Sequence, residues 1–272
     1  MIENLRTAVV TGGGHGIGRA ICRRLSKERV SVVVADLDEA AAQSVAKELD
    51  GRAFTVDVGD EQQLCGLITA VENEIGPIDL FVSNAGVGYG DGSGGAASKE
   101  GGLNPAEDRW ESCWRVNVMA HVYAARELVP RMIARGGGYF VNVASAAGLL
   151  SQIGDAAYSA TKHAAVAFAE SIAITHGEDG IHVSVVCPQA VATRMIGIAD
   201  DSDSMEGGFG GNDVDGILAP EQVADCIVEG IRDGRFLILP HQQVSEYFLR
   251  KASDYDRWIS GMQRFRRKLN EE

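Results

Sequence analysis

Residues 7–18 read TAVVTGGGHGIG, a short β-branched run that breaks into glycines before a new periodic segment begins. Read as strand, turn and helix start, this stretch commits the chain to a βα unit with its turn at the strand's carboxyl end. Backbone amides of a glycine-rich turn can close on a diphosphate, and the helix start adds partial positive charge. Glycine is needed there because a Cβ would obstruct the ligand or demand an unfavourable φ. Many loops carry glycines, so the reading depends on what surrounds this one.

The unit repeats. Strands are predicted near 7–12, 31–36 (SVVVAD), 53–58 (AFTVDV), 78–83 (IDLFVS), 139–145 (YFVNVAS), 181–188 (IHVSVVCP) and 235–240 (RFLILP). Helices are predicted at about 16–28, 38–49, 60–75, 105–134, 156–177 and 220–232. Nearly continuous Val/Ile/Phe runs mark strands buried on both faces, and their alternation with helices marks a doubly wound α/β fold. The expectation is a Rossmann-type, mostly seven-stranded parallel sheet flanked by helices on both faces. It forms one nucleotide-binding domain over 1–272, with its functional loops at the carboxyl edge of the sheet.

Composition narrows the classes. The 272 residues are 45% apolar, ordinary for a globular core. A formal net charge of −13 argues against a general nucleic-acid binder, which needs surplus Lys and Arg, and against docking on anionic membranes. The opening MIENLRTAVV lacks a basic segment followed by a secretory apolar run, and no stretch reaches the ~18 apolar residues of a membrane span. Cys22, Cys65, Cys113, Cys187 and Cys226 are scattered without a Cys-x-x-Cys pair, which suits reduced thiols. A soluble cytoplasmic protein is expected.

The second predicted strand ends at Asp36, 24 positions after Gly12. A carboxylate there can accept both hydroxyls of an adenosine ribose and repels an additional phosphate. Leu37 follows, so no adjacent cation offsets that repulsion; NAD is favoured over NADP. His15 can help hold a phosphate only when protonated. Farther along, DAAYSATKHAA (155–165) sets Tyr158 one helical turn ahead of Lys162 among alanines. Such pairs are common on helices and prove nothing alone. A phenol of pKa about 10 is a poor base at neutral pH, and a nearby cation moves it toward phenolate. His163 points to another helix face and reads as packing.

Together these stretches resemble the short-chain dehydrogenase/reductase family. Thr11, Gly12, Gly16 and Gly18 carry its Thr-Gly-x-x-x-Gly-x-Gly spacing, and Asn84, Ala85 and Gly86 its Asn-Ala-Gly motif. Asp57, beside Val58, matches the aspartate that contacts the adenine edge in relatives. Asn117, Ser145, Tyr158 and Lys162 stand in the order and separations of the family's catalytic tetrad. The resemblance spans about residues 5 to 240 and implies a cofactor site that also takes in Gly14, His15, Ile17, Asp36, Leu37, Pro188, Val191 and Thr193. His15 replaces the glycine usual in the family's extended branch. Gln189, in CPQAVATR, replaces a usual glycine beside the nicotinamide site.

The resemblance implies that Tyr158 exchanges the substrate proton while Lys162 lowers its pKa and bonds the nicotinamide ribose. Ser145 would orient the substrate oxygen, and Asn117 would hold a water that links Lys162 to solvent. The expected activity is NAD-dependent interconversion of a secondary alcohol and a ketone. AAGLLSQIG (146–154) and an expected helix over 191–199, VATRMIGIA, would wall an apolar pocket for a small to medium substrate. The alternatives are an NADPH-dependent carbonyl reductase and a non-catalytic nucleotide sensor. ASAAG lacks the Gly-x-Ser-x-Gly elbow of hydrolases.

Two glycine-rich segments, 86–102 and 197–216, interrupt the rhythm, and a substrate lid is expected over 194–219. Met205 stands where a calcium loop needs an oxygen ligand, so no metal is expected. The tail over 241–272 holds seven Lys/Arg and five Asp/Glu. Its apolar residues recur at helical spacing, as expected of a helix packed on the domain, on a neighbouring subunit or over the crevice. Relatives pair the two long helices between subunits, which implies a homotetramer.

Overall fold

The computed structural model describes residues 2–89, 109–202, 213–269 and 271. Seven parallel strands form one sheet in the order β3-β2-β1-β4-β5-β6-β7. They are β1 (Thr7–Thr11), β2 (Ser31–Asp36), β3 (Arg52–Thr55), β4 (Leu80–Ser83), β5 (Gly138–Val143), β6 (Ile181–Val186) and β7 (Leu237–Ile238). Between them run α1 (Gly16–Lys27), α2 (Glu39–Glu48), α3 (Glu61–Glu74), α4 (Arg109–Trp114), α5 (Ala120–Ala134), α6 (Ala156–His176) and α7 (Pro220–Asp233). Two more helices, α8 (Gln243–Ser253) and α9 (Tyr255–Leu269), follow β7. Strand order reverses between β1 and β4, so the crevice opens at their carboxyl ends.

Side-chain alternation builds a core on each face of the sheet. Val9, Val33 and Phe81 point to one side and pack with Leu64 of α3, Leu128 of α5 and Ala165 of α6. Val10, Val34 and Leu80 point to the other, against Ile21 of α1, Val45 of α2 and Ile227 of α7. Aspartates start three of the helices by accepting free amides. Asp38 caps α2 through Ala41 N, Asp60 caps α3 through Gln62 N and Gln63 N, and Asp155 caps α6 through Tyr158 N.

Several expected boundaries move. The strand expected over 235–240 pairs with β6 only at Leu237 and Ile238. The one expected over 53–58 ends at Thr55, because the Asp57 carboxylate turns the chain by accepting Gly59 N at 2.9 Å. The helix expected from 105 to 134 is α4, a π turn over Arg115–Met119, and α5; residues 105–108 lie outside the described residues, as do 90–102 of the first insertion. The helix expected over 191–199 does not form. Val191 instead bridges Leu218, Ala192 N donates to Leu218 O at 2.9 Å, and only Arg194–Ile196 turns, stopped by Gly197 at φ 85°. Met205 and the rest of 203–212 lie outside the described residues. No helix among the described residues is long and apolar enough to cross a membrane, and all five cysteines are free.

One core group gives a pH signature. His121 of α5 is 2% exposed and shares a 3.2 Å hydrogen bond with Asn142 Oδ1 of β5. Burial pushes its pKa from 6.5 down to about 3. Between those values the unfolded chain binds the additional proton, so stability falls as pH drops through that window. Urea titrations at successive pH values should show a His121→Gln variant losing stability less steeply, by up to about 1.4 kcal/mol per pH unit.

Candidate active site

The glycine turn joins β1 to α1 at the switch point. Gly12 has φ 63° and Gly16 φ 46°, a region that L side chains rarely adopt. A Cβ on Gly12 would lie 2.9 Å from Ala85 Cα, and one on Gly16 would lie 2.8 Å from Thr193 Cγ2. The turn therefore leaves a cradle that any larger residue would fill. Thr11 Oγ1 ties β1 to the next loop by accepting Asn84 N at 3.0 Å and Ala85 N at 3.2 Å. Asn84 Nδ2 in turn donates to Thr11 O at 2.9 Å and Gly12 O at 3.2 Å.

Asp36 ends β2 with its carboxylate fixed from two sides: Oδ2 accepts Gly14 N at 2.8 Å and Oδ1 accepts Asp38 N at 3.0 Å. Leu37 beside it is 70% exposed. Asp57 meets Arg115 at 3.1 Å. These groups border a cleft of about 680 Å³ that continues past Gly86 to Ser145, Tyr158 and Lys162. Ile17, Val58, Pro188 and Val191 also line it. Three expected site residues, Thr11, Gly14 and Asn117, lie behind the wall and hold residues that form it.

Asn117 sits in the π turn, a widened helical turn that re-aims side chains. Its Oδ1 accepts Val87 N at 2.9 Å, while Nδ2 donates to Val87 O at 2.8 Å and Thr161 Oγ1 at 3.1 Å. It thereby fastens the loop after β4 to α6. Asp155, which sequence reasoning did not single out, does the same: Oδ1 accepts Tyr158 N at 2.9 Å and Oδ2 accepts Tyr89 N at 3.1 Å. Its signal was an aspartate one residue ahead of the alanine run, the position of a helix cap.

Lys162 is 2% exposed, donates to Val143 O at 3.0 Å, and stands 5.5 Å from the centroid of the Tyr158 ring. Burial lowers its pKa from 10.5 to about 8. Burial also pushes the half-buried Tyr158 phenol up to about 12, opposed by a hydrogen bond from Ser145. Loss of hydration dominates both groups, and Ser145 is the neighbour that lowers the phenol. Ser145 Oγ is held by Ala147 N at 3.1 Å.

Beyond Tyr158 the cleft is closed by the tail, which breaks into α8 and α9 because Asp254 is extended and recaps the chain through Arg257 N. Trp258, Met262 and Phe265 line the cleft with Tyr247 and Arg250. Lys251 anchors this wall, donating to Leu149 O at 2.7 Å and Leu150 O at 2.8 Å, with His163 Nε2 at 3.3 Å. His163 is therefore a tail contact rather than simple packing. Gln189 lines the cleft too; its N donates to His241 Nδ1 at 3.2 Å, and its buried Oε1 has no partner among the described residues.

Comparison with known proteins accounts for this arrangement. The family model described as short chain dehydrogenase matches residues 6–203. The chain belongs to that family. It is similar to the 1-deoxy-11-beta-hydroxypentalenate dehydrogenase of Streptomyces exfoliatus, 34% identical over 239 residues, 86% of this chain and 82% of that one. It is also similar to the meso-2,3-butanediol dehydrogenase of Serratia marcescens, 35% identical over 193 residues, 70% of this chain and 73% of that one. A short-chain dehydrogenase/reductase from Burkholderia phymatum, solved in complex with NAD, superposes with a TM-score of 0.79 at 26% identity, covering 94% of this chain and 96% of that one. This short-chain dehydrogenase is an oxidoreductase acting on CH–OH donors with a nicotinamide cofactor. Its cradle of Gly12 and Gly16, which a Cβ would fill, fits such a group.

Proposed function

We propose that this short-chain dehydrogenase uses NAD(H) in preference to NADP(H) to interconvert a secondary alcohol and a ketone of an apolar, small to medium substrate. The observation that carries the reading is one continuous cleft with Asp36 at one end and Ser145, Tyr158 and Lys162 at the other. When bound, the nicotinamide cofactor supplies the hydride acceptor or donor. The amides of the glycine turn and the start of α1 hold its diphosphate, and Asp36 takes the adenosine ribose. Lys162 bonds the nicotinamide ribose, and Thr193 the carboxamide. Ser145 donates to the substrate oxygen, where negative charge develops. Tyr158, protonated, gives its proton to a ketone oxygen and recovers it in the reverse direction.

The Asp36 carboxylate on the cleft wall, with exposed Leu37 rather than a cation beside it, would repel an additional ribose phosphate, which supports NAD. Fluorescence titration should give NADH a dissociation constant about tenfold or more below that of NADPH, and Asp36→Asn should narrow the gap. Tighter NADPH binding by the unaltered protein overturns this preference and favours a carbonyl reductase. A panel of alcohols and ketones read by NAD(H) absorbance tests the activity, and intact NADH binding without turnover would instead mark a nucleotide sensor.

The chain acts as one domain in the cytoplasm, a reading supported by its free cysteines. Its assembly is a homotetramer paired through α4–α5 and α6, supported by Trp110, Trp114 and Ile174, large apolar side chains exposed on those helices. Light scattering should return four copies; a monomer refutes the pairing.

A further inference from the structure

The start of α1 already holds an anion that the chain itself provides. Asp200, whose side chain is 11% exposed, puts Oδ1 2.9 Å from Gly16 N and Oδ2 2.9 Å from His15 Nδ1. Arg194 Nε lies 2.8 Å from the same Oδ2, and Arg194 Nη1 lies 3.3 Å from His15 Nε2. The other charged group on this imidazole is Asp38, 3.1 Å from Nε2. Next in the chain, Asp201 pairs with Arg19 of α1 at 2.8 Å. It does so at φ 58°, a left-handed conformation that aspartate tolerates better than most residues. Two consecutive carboxylates thus fasten the segment after Arg194–Ile196 onto the amino end of α1.

A single amide hydrogen cannot serve a carboxylate and a phosphate at once. Gly16 belongs to the turn that the dinucleotide reading assigns to the diphosphate. We propose that Asp200 is a resident surrogate for the cofactor's diphosphate, and that Arg194, beside His15, is the cationic clamp that transfers from Asp200 to the diphosphate when cofactor binds. This rests on the dinucleotide reading of the cleft and adds to it one ligand, Arg194, and one competitor, Asp200, that no family motif contains. The surrogate satisfies an otherwise free donor at the helix start and keeps a guanidinium aimed at the cradle. In exchange it lowers apparent cofactor affinity by the fraction of molecules in which it is seated.

Isothermal titration with ADP-ribose, which carries the diphosphate, and adenosine, which carries no phosphate, tests the assignment without turnover. Asp200→Asn should tighten ADP-ribose binding by about tenfold, with adenosine unchanged. Arg194→Gln should weaken ADP-ribose several-fold, again with adenosine unchanged, and should erase the gain when combined with Asp200→Asn. Unchanged or weaker ADP-ribose binding by Asp200→Asn overturns the surrogate. Should that variant fail to fold, unchanged ADP-ribose binding by Arg194→Gln overturns the clamp. If the unaltered protein binds NAD but the variants behave alike, this inference falls and the function stands. If neither the protein nor its variants bind NAD or ADP-ribose, both fall.

Discussion

Replacing Tyr158 by Phe should lower kcat by about three orders of magnitude while NADH still binds. The substitution removes one oxygen and keeps the ring that faces Gly88, where a Cβ would lie 3.0 Å from Tyr158 Cδ2. Packing of α6 against the loop after β4 is therefore preserved. What is lost is the phenolic oxygen assigned to exchange the substrate proton, whose pKa burial pushes up to about 12. Steady-state kinetics paired with fluorescence titration checks the result. A variant that retains more than about a tenth of the rate would remove Tyr158 from the proton path.

Gly18→Ala should be the most damaging single methyl in the cradle. Its Cβ would collide with the Gly12 carbonyl oxygen and press on Asn84 Nδ2, the donor that ties the glycine turn to the Asn-Ala-Gly loop. Because one neighbour is backbone, the turn itself must shift, and overpacking of this kind costs about 1–3 kcal/mol of stability. The shift also displaces the amides assigned to the diphosphate, so cofactor affinity should fall by about a hundredfold, or roughly 2.8 kcal/mol. Urea denaturation and NADH titration read the two effects separately. By contrast, Gly66, inside α3, has open space where an added methyl group would lie, so Gly66→Ala should leave NADH affinity near the parent and raise stability by about 0.5–1 kcal/mol.

How much of this was legible beforehand depended on whether a feature is local. The β1–α1 stretch, the β2 end at Asp36 and the α6 pair announce themselves because strand burial, glycine conformation and helical spacing are written over a few neighbours. All seven strands were found, and the motif residues gather at one cleft or directly behind its wall. What failed was decided by distant partners. The chain over 191–199 lacks helix breakers apart from Gly197, yet it runs extended at first because Leu218 offers a backbone partner. The break at Asp254 is the exception, a local cap on Arg257 N that the tail's helical period hid. Arg194 and Asp200 looked like ordinary charges until folding brought them to His15, 185 residues from Asp200 in the chain.

The Lys251 anchor has a bearing on how such a molecule changes over generations. The reacting side chains are seated by the sheet and α6, whereas Trp258, Met262 and Phe265 arrive from beyond β7, on a tail that Lys251 ties to two carbonyls and Val244 packs into the core. Selection can redraw the far wall of the chamber by altering the last thirty or so residues, and leave the apparatus that moves the proton untouched.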